Sequence, residues 1–300
     1  LGGPSLDACL DAVARLDPPP AAVVVVLSGP GAATRTIPRG IRRVVSEQRL
    51  GFAAAVNLGL AALPAGLDAA AILNDDALPA PEWLGSLLAA LAADPKLAAA
   101  QGTVSDRDGD RIDGRGIVFS RYGLPAQVDR GEVVDHEGST TRPIVAVSGT
   151  AAVLRRDALA ASALPAGQVF DESFDSYHED VDLGLRLARL GWTAAWVPGA
   201  PCRHLGSASG ARLRWRHPWW LLANPWRALA GNLQRDCLRR LTPRLLHGEL
   251  RAAAALGLSN PRAPLVAAAV LASVPRLVAQ GRRRETPGPR LAELPDRRRQ

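Results

Sequence analysis

The sequence predicts an α/β fold with a mostly parallel sheet, flanking helices and a C-terminal helical region. Three observations carry that prediction. Ala22–Leu27 is a continuous, Val-rich apolar run of the kind that forms a strand buried on both faces. Further apolar runs follow, separated by helix-length amphipathic stretches, an alternation typical of α/β sheets. After His204 the strand-like runs give way to longer helical ones.

Taken in order, Ser5–Leu16 reads as a helix, with Leu6, Cys9, Leu10 and Val13 on one side. A Pro triplet ends it before the Ala22–Leu27 strand, and Arg42–Ser46 is a short second strand. Gly51–Leu63 is helical, Ala69–Leu73 a third strand, and Pro81–Ala93 a helix that opens on its proline. From Gln101 to Arg142 the chain turns to Gly, Asp and Arg, read as loops and small strands. Ile144–Leu154 is strand-like, and a helix follows from Arg156. Asp180–Leu190 is expected as an amphipathic helix, with Leu183, Leu187 and Leu190 on one face and Asp182, Arg186 and Arg189 on another. Thr193–Val197 is the last expected strand, and Leu238–Leu256 and Leu265–Val278 the last helices.

A chain of 300 residues and 31.6 kDa suits one large domain, alone or with an appendage, at about 100–200 residues each. Its 47% hydrophobic and 22% charged content excludes collagen-like, disulfide-framework and wholly disordered classes. Cys9, Cys202 and Cys237 form no CxxC spacing, so neither a disulfide framework nor a zinc site is expected. No basic-then-apolar leader opens the chain, which is expected to be intracellular. The formal charge is +7, and the segment after Gln280 holds seven arginines against three acids. Such a tail suits anionic lipid, nucleic acid or solubility. The uncharged stretch Ala263–Pro275 is shorter than the roughly 20 residues of a membrane span.

Three places are candidates for chemistry. Asn74, Asp75 and Asp76 directly follow a strand, and in parallel α/β sheets ligands bind at the carboxyl ends of strands. Adjacent carboxylates suit a hard cation, Mg²⁺ or Mn²⁺; the alternative is a polar turn that caps the next helix. Glu179 and Asp180 sit at the start of a helix, whose dipole favours an ionised carboxylate able to accept a proton from a hydroxyl. The alternative is ordinary acidic decoration of a first turn. Tyr177 and His178 beside them are candidate substrate contacts. His204 stands in a Gly/Ser loop after the last strand, where a metal or phosphate contact is plausible only alongside the acidic pairs.

Two other patterns carry less. Gly29–Thr34 lacks the Lys-Ser or Lys-Thr of a P-loop. The segment from Arg214 interleaves Trp215, Trp219, Trp220 and Trp226 with arginine, which suits a bilayer interface and equally a packed helical lid. No nucleic-acid motif accompanies it, and no nucleic-acid partner is expected.

In this order the segments resemble a family 2 nucleotide-sugar glycosyltransferase of GT-A fold, and within it bacterial rhamnosyltransferase-like members. The resemblance spans about Ser5 to Ser209 and is carried by RLGFAAAVNLGL, LNDDALPAPEWL, VSGTAAVLRRDAL, FDESFDSYHEDVDLGLRLARLGW and HLGSAS. It implies a GT-A catalytic domain over 1–209, a membrane-associating helical region over 210–280 and a basic tail over 281–300. It also implies an inverting transfer of a sugar from a nucleotide-diphosphate donor to a lipid-linked or polysaccharide acceptor in cell-envelope glycan synthesis. The favoured donors are dTDP-rhamnose and UDP-sugars. Asp180 would be the general base, with Glu179 beside it. Asp76 and His204 would hold the divalent metal. Arg49, Gly51, Asn57, Asn74 and Asp75 would line the nucleotide-sugar pocket, and Gly149, Tyr177 and His178 would meet the acceptor. The expected location is the cytoplasm, with peripheral contact on the anionic inner face of the plasma membrane.

The chain departs from the family in two respects. The family's first strand, of the Val-Val-Ile-Val-Thr-Tyr-Asn kind, is expected to lie before Leu1, and Leu27 and Ser28 stand where the family commonly has Asp and Asn. These departures favour an alternative, a non-catalytic glycan- or membrane-binding relative; the acidic pairs oppose it.

Overall fold

The computed structural model describes residues 4–135, 138–206, 216–259 and 263–281. Ser207–Gly210, Trp215 and the arginine-rich tail lie outside the described residues. In chain order the elements are α1 (Pro4–Val13), β1 (Val24–Ser28), β2 (Arg42–Ser46), α2 (Phe52–Ala62), β3 (Ala69–Leu73), β4 (Ala77–Pro79), α3 (Trp83–Ala93), β5 (Leu97–Gln101), β6 (Val104–Ser105), β7 (Ile112–Gly114), β8 (Ile117–Phe119), β9 (Pro125–Gln127), β10 (Arg142–Ile144) and β11 (Ala151–Arg155). They continue with α4 (Arg156–Ala161), α5 (Glu179–Arg189), β12 (Thr193–Trp196), β13 (Cys202–His204), α6 (Arg216–Asn232), α7 (Arg235–Ser259) and α8 (Ala263–Gly281).

The central sheet has five strands in the order β10-β12-β5-β11-β3. β3, β5 and β12 run the same way, but only β5 and β12 pair directly in parallel. The sheet is therefore mixed rather than mostly parallel. The excursion after β5 stays at the carboxyl edge of the sheet and feeds β10 and β11 back from that side, so both run antiparallel to their neighbours. β1 and β2 form a separate parallel pair.

A second sheet, ordered β4-β13-β6-β7, sits at the same carboxyl edge. Each same-direction strand of the central sheet continues into it after a short break: β3 into β4, β5 into β6, and β12 into β13. Asn74, Asp75 and Asp76 occupy the first of these breaks.

The stretch expected as one strand over Ile144–Leu154 is two strands, with a turn at Gly149 and Thr150 between them. That turn is pinned from below. The buried Gln101 side chain accepts a hydrogen bond from the Ser148 N–H at 2.6 Å. Cys9, Cys202 and Cys237 are free and buried, and burial pushes the Cys9 and Cys202 thiols up to about 12, so neither is a nucleophile.

The amphipathic reading of α5 is also corrected. Leu183 and Leu187 of its leucine face and Asp182 and Arg186 of its polar face are all buried, because α6 packs over the polar side, whereas Leu190, just past the end of the helix, is 52% exposed. Asp182 pairs with Arg186 at 2.8 Å and accepts a hydrogen bond from Asn232 of α6 at 2.7 Å. Arg186 also donates to the backbone carbonyls of Ser162 and Val169. The largest core cluster joins Phe174, Val181 and Leu185 to Trp226, Leu229, Leu245 and Val270 of the three C-terminal helices. Trp226 is wholly buried and Trp220 nearly so, which removes both from the expected bilayer interface; Trp219 is 39% exposed.

Two outcomes follow from this packing. Asp182→Ala leaves the Arg186 charge buried without its partner and is expected to cost about 3–5 kcal/mol in urea denaturation; a loss under about 1 kcal/mol would show the pair to be dispensable. Glu249, 1% exposed, lies in the helical core, where burial pushes its carboxyl up to about 8, with the neighbouring Trp226 indole pulling the other way. A folded-state value above the unfolded one means that the native protein binds more protons in between. Stability should therefore fall from about pH 4.5 to about pH 8, with a limiting slope of about 1.4 kcal/mol per pH unit. Glu249→Gln should remove that slope from pH-dependent denaturation curves.

Candidate active site

The acidic break after β3 is held on both sides. The Asn74 N–H donates to the Thr150 carbonyl at 2.9 Å, which continues the β3–β11 ladder by one residue. The Asp76 carbonyl accepts from the Leu205 N–H at 2.9 Å, and β4 pairs with β13 so that Ala77 lies opposite His204. Asp76 is 2% exposed, whereas Asp75 sits at the rim. Desolvation, then the charge of Asp76, raises the Asp75 carboxyl above the usual carboxylate range.

Strand pairing brings His204 to Asp76, with Nε2 at 3.2 Å from Oδ1. The other ring nitrogen, Nδ1, lies 2.9 Å from Oδ2 of Asp113 on β7, and Arg130 lies 3.3 Å from the second Asp113 oxygen. These two carboxylates, Asp113 first, raise the His204 imidazole to about 9, and His204 in turn lowers the Asp113 carboxyl. Asp76 Oδ2 is buried and has no hydrogen-bond partner among the described residues. An orphaned, desolvated carboxylate oxygen beside an imidazole fits a divalent cation as a missing partner. Among the described residues no group of three His, Cys, Asp or Glu side chains is arranged to hold one. The donor set therefore suits a cation that takes its remaining ligands from water and a bound diphosphate, as Mg²⁺ commonly does.

The second acidic pair reaches the same edge through the Gly149 turn. The Gly149 N–H donates to Asp180 Oδ2 at 3.3 Å, and the Val181 N–H to Oδ1 at 2.8 Å. One turn thus touches both acidic segments: Thr150 binds Asn74, and Gly149 binds Asp180. A Cβ on Gly149 would lie 2.4 Å from the Phe52 ring, so only glycine fits there. Burial raises the carboxyls of both Asp180 and Glu179 above the usual range, outweighing the helix dipole, which favours ionisation. Glu179 is 4% exposed, and its Oε2 has no hydrogen-bond partner among the described residues.

The loop before α5 holds an uncommon backbone. Asp175, Tyr177 and His178 have φ values of 62°, 69° and 69°, a region that non-glycine residues rarely occupy. Asn224 of α6 holds it there, donating to the carbonyls of Phe174, Ser176 and Tyr177 at 3.1, 3.0 and 2.9 Å. Arg227 donates to the Ser173 carbonyl at 2.8 Å. The Tyr177 side chain is 37% exposed, with its ring 6.3 Å from that of Trp220. Burial lowers His178 to about 4, leaving it neutral at pH 7.

Two residues expected along the nucleotide pocket, Asn57 and Gly51, are engaged elsewhere. All of the Asn57 side chain is spent on clamping α2 to the loop that precedes α5: it donates to the Phe170 carbonyl and Glu172 and accepts from the Val169 and Phe170 N–H groups. Gly51 makes room for Asp175, whose carboxylate a Cβ would meet at 1.9 Å. Arg49 is exposed. Sequence reading missed Asp113, Gln101 and Asn224. Asp113 sits in a stretch with no periodicity, Gln101 ends an ordinary strand, and Asn224 lies in the Trp-rich segment whose composition points to a membrane.

Residues 71–277 match the sequence profile of the family described as Glycosyl transferase family group 2. Over 239 residues the chain is 29% identical to the N-acetylglucosaminyl-diphospho-decaprenol L-rhamnosyltransferase of Mycobacterium tuberculosis, covering 70% of this chain and 75% of the relative. The crystal structure of GalNAc-T7 with UDP, GalNAc and Mn²⁺ superposes with a TM-score of 0.56 at 14% identity. That match covers 78% of this chain but only 46% of the other, so the chain spans just under half of that protein, and the likeness concerns the fold. With the fold and the profile in agreement, the chain belongs to glycosyl transferase family group 2 and is a glycosyltransferase of GT-A fold.

Proposed function

We propose that the chain is an inverting, metal-dependent glycosyltransferase of cell-envelope glycan synthesis. It moves a sugar from a nucleotide-diphosphate donor to a lipid-linked or polysaccharide acceptor. The observation that carries this reading is the Gly149–Thr150 turn, which ties a candidate base, Asp180, to the carboxylates that would face a diphosphate. The name of the mycobacterial relative favours L-rhamnose as the sugar, hence a dTDP donor, and a prenyl-diphosphate-linked acceptor; a UDP-sugar is the second choice.

In this reading Asp180 takes the proton of the acceptor hydroxyl, whose oxygen attacks the anomeric carbon from the face opposite the nucleotide. The Gly149 N–H fixes one oxygen of Asp180, while its raised carboxyl keeps it a better base than an exposed aspartate. Glu179, whose carboxyl burial raises well above the usual range, would orient Asp180 or contact the acceptor. Asp76 would hold the divalent cation, joined by His204 once the Nε2 proton shared with Asp76 is displaced, and the cation's chemistry is to neutralise the departing diphosphate. Asn74, Asp75 and Arg49 would lie on the donor side, with Gly51 and Asn57 positioning the loop beneath. Tyr177 and His178 would meet the acceptor. Residues 1–209 would form the catalytic domain, 210–280 a helical region bracing the acceptor loop, and 281–300 a basic tail. The proposed location is the cytoplasmic face of the plasma membrane.

Calorimetry with dTDP, UDP and GDP, each with and without Mn²⁺, tests the donor side; metal-dependent binding of one nucleotide is expected, and binding of none by the folded protein would sink the reading. Asp180→Asn should abolish transfer, by roughly 10²–10⁴-fold, while nucleotide binding is retained. Because the base must be deprotonated and its carboxyl is raised, wild-type kcat should fall on acidification at a higher pH than an ordinary aspartate would set. Asp113→Asn should weaken Mn²⁺-dependent nucleotide binding by about 10–100-fold and leave metal-independent binding unchanged, with some loss of melting temperature as its pairs with His204 and Arg130 go. Equal losses in both kinds of binding would make Asp113 merely structural.

A further inference from the structure

The outward face of α7 changes character along its length. Arg240, Arg244, His247 and Arg251 recur at steps of four, three and four, which is one helix face, and all are exposed. Ala254 and Ala255 continue that face and, with Leu250 at 57% exposure, make its far end apolar. α8 shows the reverse order. Leu265, 70% exposed, begins an outward row with Ala268, Ala269 and Ala272, and Arg276 follows at the other end.

The two apolar ends meet. A Cβ on Gly257, near the end of α7, would lie 3.6 Å from Pro264 at the start of α8. From Ala252 to Pro275 the sequence carries one charged residue, Arg262. Of the two acids on α7, Glu249 points into the core, and Asp236, one turn before Arg240 at the end away from the apolar tip, lies 3.7 Å from Arg239, so three arginines of the row stand against one acid. The inner face of α8 is used up as well: Val266, Val270 and Val274 pack in the cluster that holds Trp226 and Leu229 of α6.

We infer that the joined ends of α7 and α8 form a docking surface for an anionic phospholipid bilayer. Their apolar ends enter the boundary between headgroups and acyl chains, and the Arg240/Arg244/Arg251 row with Arg276 meets lipid phosphates. An apolar end with a cationic collar is the arrangement that binds interfacially. Among the described residues no helix is long and apolar enough to cross a membrane, so the surface lies on the bilayer rather than through it. A nucleic acid would match the arginines but leave the apolar end against water. A second copy of the chain would set one arginine row against another. The inference rests on the proposed function only in that a lipid-linked acceptor lies at such a surface.

Flotation of the full chain with phosphatidylcholine vesicles, with and without phosphatidylglycerol, tests it. Binding is expected only with phosphatidylglycerol and should weaken as salt is raised. Leu265→Glu with Ala269→Glu should reduce binding by roughly tenfold or more, and so should Arg240→Glu with Arg244→Glu. All four positions are exposed, and unchanged melting and nucleotide binding would show the variants to be intact. Wild-type flotation by both double variants would overturn the inference. So would a lipid-free dimer, seen by sedimentation, that Leu265→Glu with Ala269→Glu disrupts. Failure to bind any nucleotide, with flotation as expected, would count against the proposed reaction and leave the docking surface standing.

Discussion

The structure depends most on the burial of α5 on every side. A helix that opens with two carboxylates and carries a further Asp and Arg would ordinarily show its polar face to water. Here Asp182 and Arg186 neutralise each other inside the protein, and the remaining hydrogen-bond capacity goes to Asn232 and to the Ser162 and Val169 carbonyls. A buried pair of this kind adds little net stability over apolar residues but is costly to break, so it acts as a registry device. It fixes which way α5 faces, and so where Glu179 and Asp180 stand.

That registry is matched by a loop whose backbone would not hold its shape alone. Three non-glycine residues with positive φ precede α5, and the conformation persists because Asn224 and Arg227 of α6 satisfy the carbonyls it turns inward. From the other side, Gly51 and Asn57 bring the start of α2 against the same loop. The helices after residue 215 therefore help to shape the loop that leads into α5, and they share a core with it around Phe174, Leu185 and Trp226.

The opposite acidic segment owes its position to sheet topology. Three strands running the same way each break and re-form in a second small sheet, and backbone at such breaks has polar groups to spare. Asp76 lies in one break and His204 at the end of the strand beyond another, so antiparallel pairing of β4 with β13 brings them within 3.2 Å. Asp113, reached through β6 and β7, holds the far nitrogen of the same ring. What one ring nitrogen of a histidine binds orients the other, so this contact decides which nitrogen faces Asp76.

The elements with strong local signals were legible in the sequence: the Val-rich β1, the strand before Asn74, the α5 helix and the acidic pairs at the ends of elements. Their order also carried the family resemblance. What periodicity cannot register is what covers a face. The polar side of α5 reads as solvent-exposed until α6 is laid over it, and Trp220 and Trp226 read as interfacial until they are found in the core. Nor can a linear pattern reveal partners far apart in sequence, such as Asp113 with His204 or Gly149 with Asp180. By itself the sequence determined which residues were chemically competent and which elements would carry them. Tertiary structure decided which of them meet, because long-range strand pairing sets the distances and burial sets which carboxyls are raised.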